Sequence, residues 1–133
     1  MRTLPNTDKR PYVLFSSNDP AGLERDLRAL HIPFTKLAGC YKGESEPSYL
    51  VDREHWPRAR QLARVKDQDS ALHIGPRLAN GSRPAFLEFL NVAKKGTRAA
   101  QWLGWFRSTD KATALRQDAW TRRGAQYYIV TED

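Results

Sequence analysis

The reading of the fold turns on one stretch, Ala100-Gln101-Trp102-Leu103-Gly104-Trp105-Phe106-Arg107. As a strand, with successive side chains on opposite faces, it puts Trp102 and Phe106 on one side and Leu103 and Trp105 on the other. Both faces carry large apolar surface, so both need cover. Helices laid on a sheet can cover one face fully and the other in part, which leaves a Trp as a platform for a base, a partner side chain or a second copy of the chain. The expectation is an α+β domain, a mainly antiparallel sheet with two longer helices and one short one.

The flanking sequence supplies the other elements. Residues 12–15 read as a short buried strand, and Leu23, Leu27 and Leu30 fall at helical spacing before Pro33 discourages continuation. Residues 34–41 and 48–51 read as a hairpin with a longish loop at 42–47, and a second helix is expected from about His55 to Lys66. Residues 70–74 and 84–90 flank Asn80-Gly81, a dipeptide suited to a type I′ turn. A turn near residues 92–97, a short helix near Asp110 to Gln117 and a last strand at 126–130 complete the series.

The chain has 133 residues, 40% of them apolar. That suits one domain, read as residues 12–133 behind a basic N-terminal arm of residues 1–11. With 22 Lys and Arg against 15 Asp and Glu, the net charge is +7, so the surface field favours polyanions. The single cysteine, Cys40, excludes an intramolecular disulfide and a Cys-rich zinc site and fits a reducing compartment. The N-terminal residues lack the apolar core of a signal peptide, and the sequence has no run of 18 apolar residues. The expected setting is cytoplasmic, with no membrane partner and no cofactor.

The stretch Ser17-Asn18-Asp19-Pro20-Ala21-Gly22 precedes the first helix. Asp19 suits the N-cap, where its carboxylate accepts from first-turn N–H groups, and Pro20 suits the first helical position. A phosphate cradle fits less well, because Pro20 has no N–H and Asp19 is itself negative. Ser16 and Ser17 lack the glycines of a nucleophile elbow. The alternative to a plain cap is a pocket formed by Ser17, Asn18 and Asp19 with Glu46 and Ser48.

Residues 16–20 resemble the T-A-x-N-P opening of a family of small bacterial and phage proteins classed as a domain of unknown function, departing from it at Ser16, Ser17 and Asp19. Gly39-Cys40-Tyr41 followed by residues 46–51 is similar to that family's G-x-x and E-P-S-[FL]-x-V, and residues 68–72 to its Q-x-[SA]-[VIL]. The resemblance spans roughly residues 12–90. It implies an accessory protein of bacterial or phage origin, placed in the host cytoplasm in the phage case, and brings no catalytic residues.

Among the charged residues, Arg60 and Arg64 lie one turn apart on the second helix with Arg58 nearby. They form a basic ridge that Lys94, Lys95 and Arg98, with Arg122 and Arg123, would extend. Such a ridge is ordinarily a solvated face; its functional reading is contact with nucleic-acid phosphates or an acidic protein. His31, His55 and His73 have no metal-ligand spacing, and Glu44 and Glu46 fall in the expected hairpin loop, where carboxylates are solvated.

The leading expectation is a non-enzymatic accessory protein that binds a host macromolecule, an acidic protein or a nucleic acid, through Arg58, Arg60, Arg64, Lys94, Lys95, Arg98 and Trp105. The alternatives are a small enzyme or nucleotide-binding domain using the Ser16–Gly22 turn with Glu46 and Ser48, and a structural or self-assembling domain forming homo-oligomers.

Overall fold

In the computed structural model, which describes residues 10–65, 68, 70–90 and 99–132, the first apolar run is buried on both sides. Strand β1 (Tyr12–Ser16) sends Tyr12 and Leu14 to one face and Val13 and Phe15 to the other, into separate apolar clusters. It pairs antiparallel with β3 (Glu44–Asp52) on one edge and β4 (Ser70–Ile74) on the other, with Tyr12 opposite both Asp52 and Ile74. The ring is completed by β2 (Thr35–Tyr41), β5 (Arg83–Phe89), β6 (Ala100–Thr109), β7 (Trp120–Arg123) and β8 (Gln126–Thr131). Around it the order is β1-β3-β2-β7-β8-β6-β5-β4, a closed barrel.

The α+β expectation is therefore corrected. The molecule is an eight-stranded antiparallel barrel, and its helices, α1 (Pro20–Ala29), α2 (Trp56–Val65) and α3 (Lys111–Leu115), are small. The element the sequence reading lacks is β7, four residues that include two arginines. It pairs with β2 through Gly39 and Thr121 and with β8 through Thr121 and Tyr128. Without β7 the sheet has two free edges and needs helices on both faces; with it, one apolar face is enclosed by the strands themselves.

Tyr12, Leu14, Leu37, Leu50, Ile74, Ala85, Phe106 and Tyr128 form the barrel interior. A second cluster lies outside, where Val13, Phe15, Tyr49 and Val51 meet Leu23 and Leu27 of α1 and Trp56, Ala59 and Ala63 of α2. Under α3, Ala114 packs with Tyr127 and Ile129. Tyr127 and Tyr128 thus serve opposite faces of β8, and each outer cluster removes apolar wall from water at roughly 25 cal/mol per Å².

The opening stretch is also corrected. Ala85 pairs with Gly104 and Phe86 with Trp102, so Leu103 is an extra residue in a bulge. The bulge resets the alternation. Trp102 and Trp105 share the outer face, with ring centroids 5.5 Å apart and nearly perpendicular, while Leu103 and Phe106 line the interior. Gly104 permits this: its φ is +134°, and a Cβ there would collide with the Thr131 carbonyl oxygen.

Two turns differ from expectation. The β2–β3 hairpin closes at Lys42-Gly43, both at positive φ, so residues 44–47 belong to β3 and not to a loop. In Asn80-Gly81 only Gly81 has positive φ, and the turn there is closed by the Gly81 N–H on the Leu78 carbonyl within a longer β4–β5 connection. Of the expected basic arm, residues 1–9 lie outside the described residues. Arg10 and Pro11 are docked: Arg10 pairs with Asp52 at 3.3 Å, and the Pro11 carbonyl accepts from the Arg53 N–H. Among the described residues no helix is long and apolar enough to cross a membrane.

Candidate functional site

The two ends of the barrel are filled differently. At one end Arg83 is fully buried, its guanidinium 5.5 Å above the Tyr12 ring, with Nη1 donating to the carbonyls of Arg10 at 2.8 Å and Gly75 at 3.0 Å. Tyr12, Ile74 and Ala85 fill the space around it. That end is plugged. Toward the other end the inward positions shrink to Ser16, Ser48 and Ser70, and a cavity of about 600 Å³ opens. An eight-stranded barrel has an interior that side chains can just fill, or that small ones leave open for one ligand.

Leu14, Leu72, Leu87, Leu103, Phe106, Tyr128 and Val130 make much of the apolar part of this cavity. The Phe106 and Tyr128 rings stack 5.3 Å apart, 11° from parallel, and burial raises the pKa of the Tyr128 hydroxyl, which stays protonated at neutral pH. The polar part comes from three distant stretches of chain. The Ser16 hydroxyl, at the end of β1, donates to Glu46 Oε1 on β3 at 2.9 Å, and Gln68, just before β4, brings its side-chain amide oxygen within 3.4 Å of the same hydroxyl. Ser16 has one proton, so the shorter contact to Glu46 holds it. Cys40 and Tyr41 of β2 and residues 117–119 before β7 form the rim. The loop is tied down where the Asp118 carbonyl accepts from the Gly43 N–H at 3.0 Å and from the Cys40 thiol at 3.6 Å.

The sequence-derived pocket set divides here. Glu46 and Ser48 line the cavity, because the tight Lys42-Gly43 turn places both in β3. Ser17, Asn18 and Asp19 do not line it. Ser17 is buried and accepts from the Asp19 N–H at 3.0 Å, while Asp19 caps α1 by accepting from the Gly22 N–H at 3.1 Å, with Pro20 starting the helix. The turn caps the helix, and the hydroxyl that reaches the cavity is that of Ser16 just before it. Gln68, Ser70, Phe106 and Tyr128 were absent from the sequence-derived set. The available signal was the row of small residues at inward positions, which becomes readable once the sheet is known to close.

The basic ridge is also divided. Arg58 donates to the Leu30 carbonyl at the C-terminal end of α1, at 2.9 Å, and Arg60 pairs with Glu88 at 2.8 Å while lying 5.7 Å over the Trp56 ring. Arg64 is exposed. Lys94, Lys95 and Arg98 lie outside the described residues. Trp105 stands beside Trp102, which is 56% exposed.

Glu88 is the hub of the outer wall beneath α2. It accepts from Trp56 Nε1 at 2.9 Å and from His73 Nε2 at 2.7 Å. Burial lowers the His73 pKa, outweighing the hydrogen bond to Glu88 that would raise it. The imidazole is therefore neutral at pH 7 and donates from Nε2, leaving Nδ1 as a lone pair without a partner among the described residues. Burial would raise the Glu88 pKa, but the bonds from His73, Trp56 and Arg60 together hold it below the ordinary value. The unit braces α2 against β4 and β5, on the opposite side of the wall from the cavity.

Among the described residues no group of three or more His, Cys, Asp or Glu side chains is arranged to hold a metal ion. No family model and no curated protein matches this chain.

Proposed function

We propose that the protein is a binding protein that takes a small molecule into the open end of its barrel, with the ligand's apolar body against Phe106, Tyr128 and Leu72 and its polar head at Ser16, Glu46 and Gln68. The observation that supports this most is the cavity of about 600 Å³, which is in the size range of small-molecule sites and combines an apolar lining with a few convergent polar groups. The reading keeps Glu46 and Ser48 from the pocket set and replaces the turn residues with Ser16 and Gln68. Binding of the neutral fluorescent probe N-phenyl-1-naphthylamine tests it. Saturable binding of one probe per chain is expected, abolished by the cavity-filling substitutions Leu103→Trp and Leu87→Trp in proteins that still melt cooperatively. Probe binding that survives both substitutions would place the site elsewhere.

A second reading, contact with a nucleic acid or an acidic protein, draws support from one feature. The Gly104 bulge sets Trp102 and Trp105 side by side on the outer face with Arg107 on the same side of β6. Stacking of a base on Trp102 would contribute about 1–3 kcal/mol, so Trp102→Ala should weaken single-stranded oligonucleotide binding measured by fluorescence anisotropy at low salt. Unchanged anisotropy in that variant removes the stacking role.

A further inference from the structure

Across the described residues, the charge inside the cavity is opposite to that of the whole chain. The protein carries a net +7, yet among the described lining residues there is no Lys, Arg or His, and the charged ones are Glu46 and Asp118. The cations are placed elsewhere. Arg83 plugs the far end, Arg60 serves Glu88, and Lys36 serves Glu24 at 2.9 Å.

Glu46 is the exception among the partly buried carboxylates. Glu24 has Lys36 and Arg28, Asp52 has Arg10, and Glu88 has Arg60, each as an ion pair. Glu46 has the Ser16 hydroxyl on one oxygen and no ion pair with any described cation. Lys36 and Arg122 line a shallow groove that also touches Glu46, but Lys36 is committed to Glu24 and Arg122 donates to the Gly124 carbonyl at 3.1 Å. A carboxylate beside an apolar cavity, oriented by a hydroxyl and without an ion pair among the described residues, is suited to a cation supplied from outside. The Phe106 and Tyr128 rings stacked in the cavity wall are almost wholly buried, so the carboxylate is the group that would distinguish a cation from an anion.

We infer that the cavity selects an organic cation, an amine or amidine on a compact apolar or aromatic body, with its charged head at Glu46. Nucleotides and other phosphate-bearing ligands are disfavoured at this site, since their charge would face Glu46 with no described cation in the lining. The inference rests on the proposed role of the cavity as a ligand site. It also runs against the protein's long-range field: a molecule of net charge +7 repels cations in bulk, so a preference for them reports the local site and not the surface.

The test uses three probes that share a phenyl-ethyl body or its close analogue: phenethylammonium, 2-phenylethanol and phenylacetate. Each competes with N-phenyl-1-naphthylamine on the full chain at pH 7. Phenethylammonium should displace the neutral probe at a concentration about tenfold or more below that needed for the alcohol, with phenylacetate weakest. Glu46→Gln keeps an acceptor for Ser16 and should bring the ammonium's displacing concentration up to that of the alcohol, both measured against the variant's own affinity for the neutral probe. If the neutral probe binds but phenylacetate competes as well as phenethylammonium, or if Glu46→Gln leaves the advantage intact, the cation assignment is overturned and the cavity stands. If the neutral probe does not bind the wild-type chain, the cavity reading fails and the cation assignment fails with it.

Discussion

One end of this barrel is closed by a buried arginine, and the other is left open beside a carboxylate that has no ion pair with a described cation. Arg83 and Glu46 are both charged, both come from strands and both face inward, yet their surroundings differ. Around Arg83 two backbone carbonyls accept from Nη1 and the Tyr12 ring lies under the guanidinium, and the end is filled. Around Glu46 one hydroxyl answers one oxygen, and small residues leave space. On the proposed reading, the charged group tied to backbone carbonyls holds the barrel, and the one with a single hydroxyl partner is left for a ligand.

The largest expected effect comes from breaking the closed end. Arg83→Ala removes a fully buried side chain and strands the Arg10 and Gly75 carbonyls, so urea denaturation should show a loss of about 3–5 kcal/mol. Glu46→Gln, measured in parallel, should stay within about 0.5 kcal/mol of the wild type, as a partly exposed substitution that keeps its acceptor does. Comparable losses for the two would mean that both ends are structural.

A smaller effect separates the ends by volume. Ala85 is completely enclosed, and Ala85→Leu should cost about 1–3 kcal/mol through overpacking. Ser70 lines the cavity, and Ser70→Leu should change stability by no more than about 0.5 kcal/mol because the added atoms meet empty space. The same denaturation midpoints read both, and equal penalties would show that the open end has no room.

The smallest effect concerns the wall between the ends, where the Glu88 hub carries the pH dependence. The folded-state pKa of His73 lies below its ordinary 6.5 and that of Glu88 below its ordinary 4.5, so in both cases the unfolded chain takes up protons first. Their contributions are fully present above about pH 6.5 and decline on acidification, His73's from pH 6.5 downward and Glu88's from pH 4.5 downward. Denaturation midpoints at pH 7.5, 6 and 5 should fall in that order, and His73→Phe should flatten the series across this range. An unchanged slope in that variant would assign the pH dependence to other groups.

Much of the local structure was legible in the sequence, because capping and helical periodicity are short-range. Asp19 followed by Pro20 marks the start of α1 whatever surrounds it, and Leu23 and Leu27 mark its buried face. The site was half legible. Glu46 and Ser48 could be named, but as neighbours of a turn that lies elsewhere, since the pocket reading extended from Ser16 into the helix cap and not inward along the strand. Arg58 and Arg60 read as a surface ridge because helical spacing shows which residues share a face and says nothing of the Leu30 carbonyl or Glu88 that bind them.

The sequence by itself determined that apolar strands alternate with helices, the first capped by Asp19, on a strongly basic chain. The tertiary structure alone decided what covers those faces and where the cavity lies. Closure depends on β7, a four-residue strand whose two arginines conceal it and whose pairing with β2 and β8 is a long-range contact. The phase of β6 depends on the Gly104 bulge, which follows from the approach of the Thr131 carbonyl. Ser16, Glu46 and Gln68 meet across separations of 30 and 52 residues. Such contacts form because a closed sheet brings distant strand ends onto one rim, and no local propensity encodes that geometry.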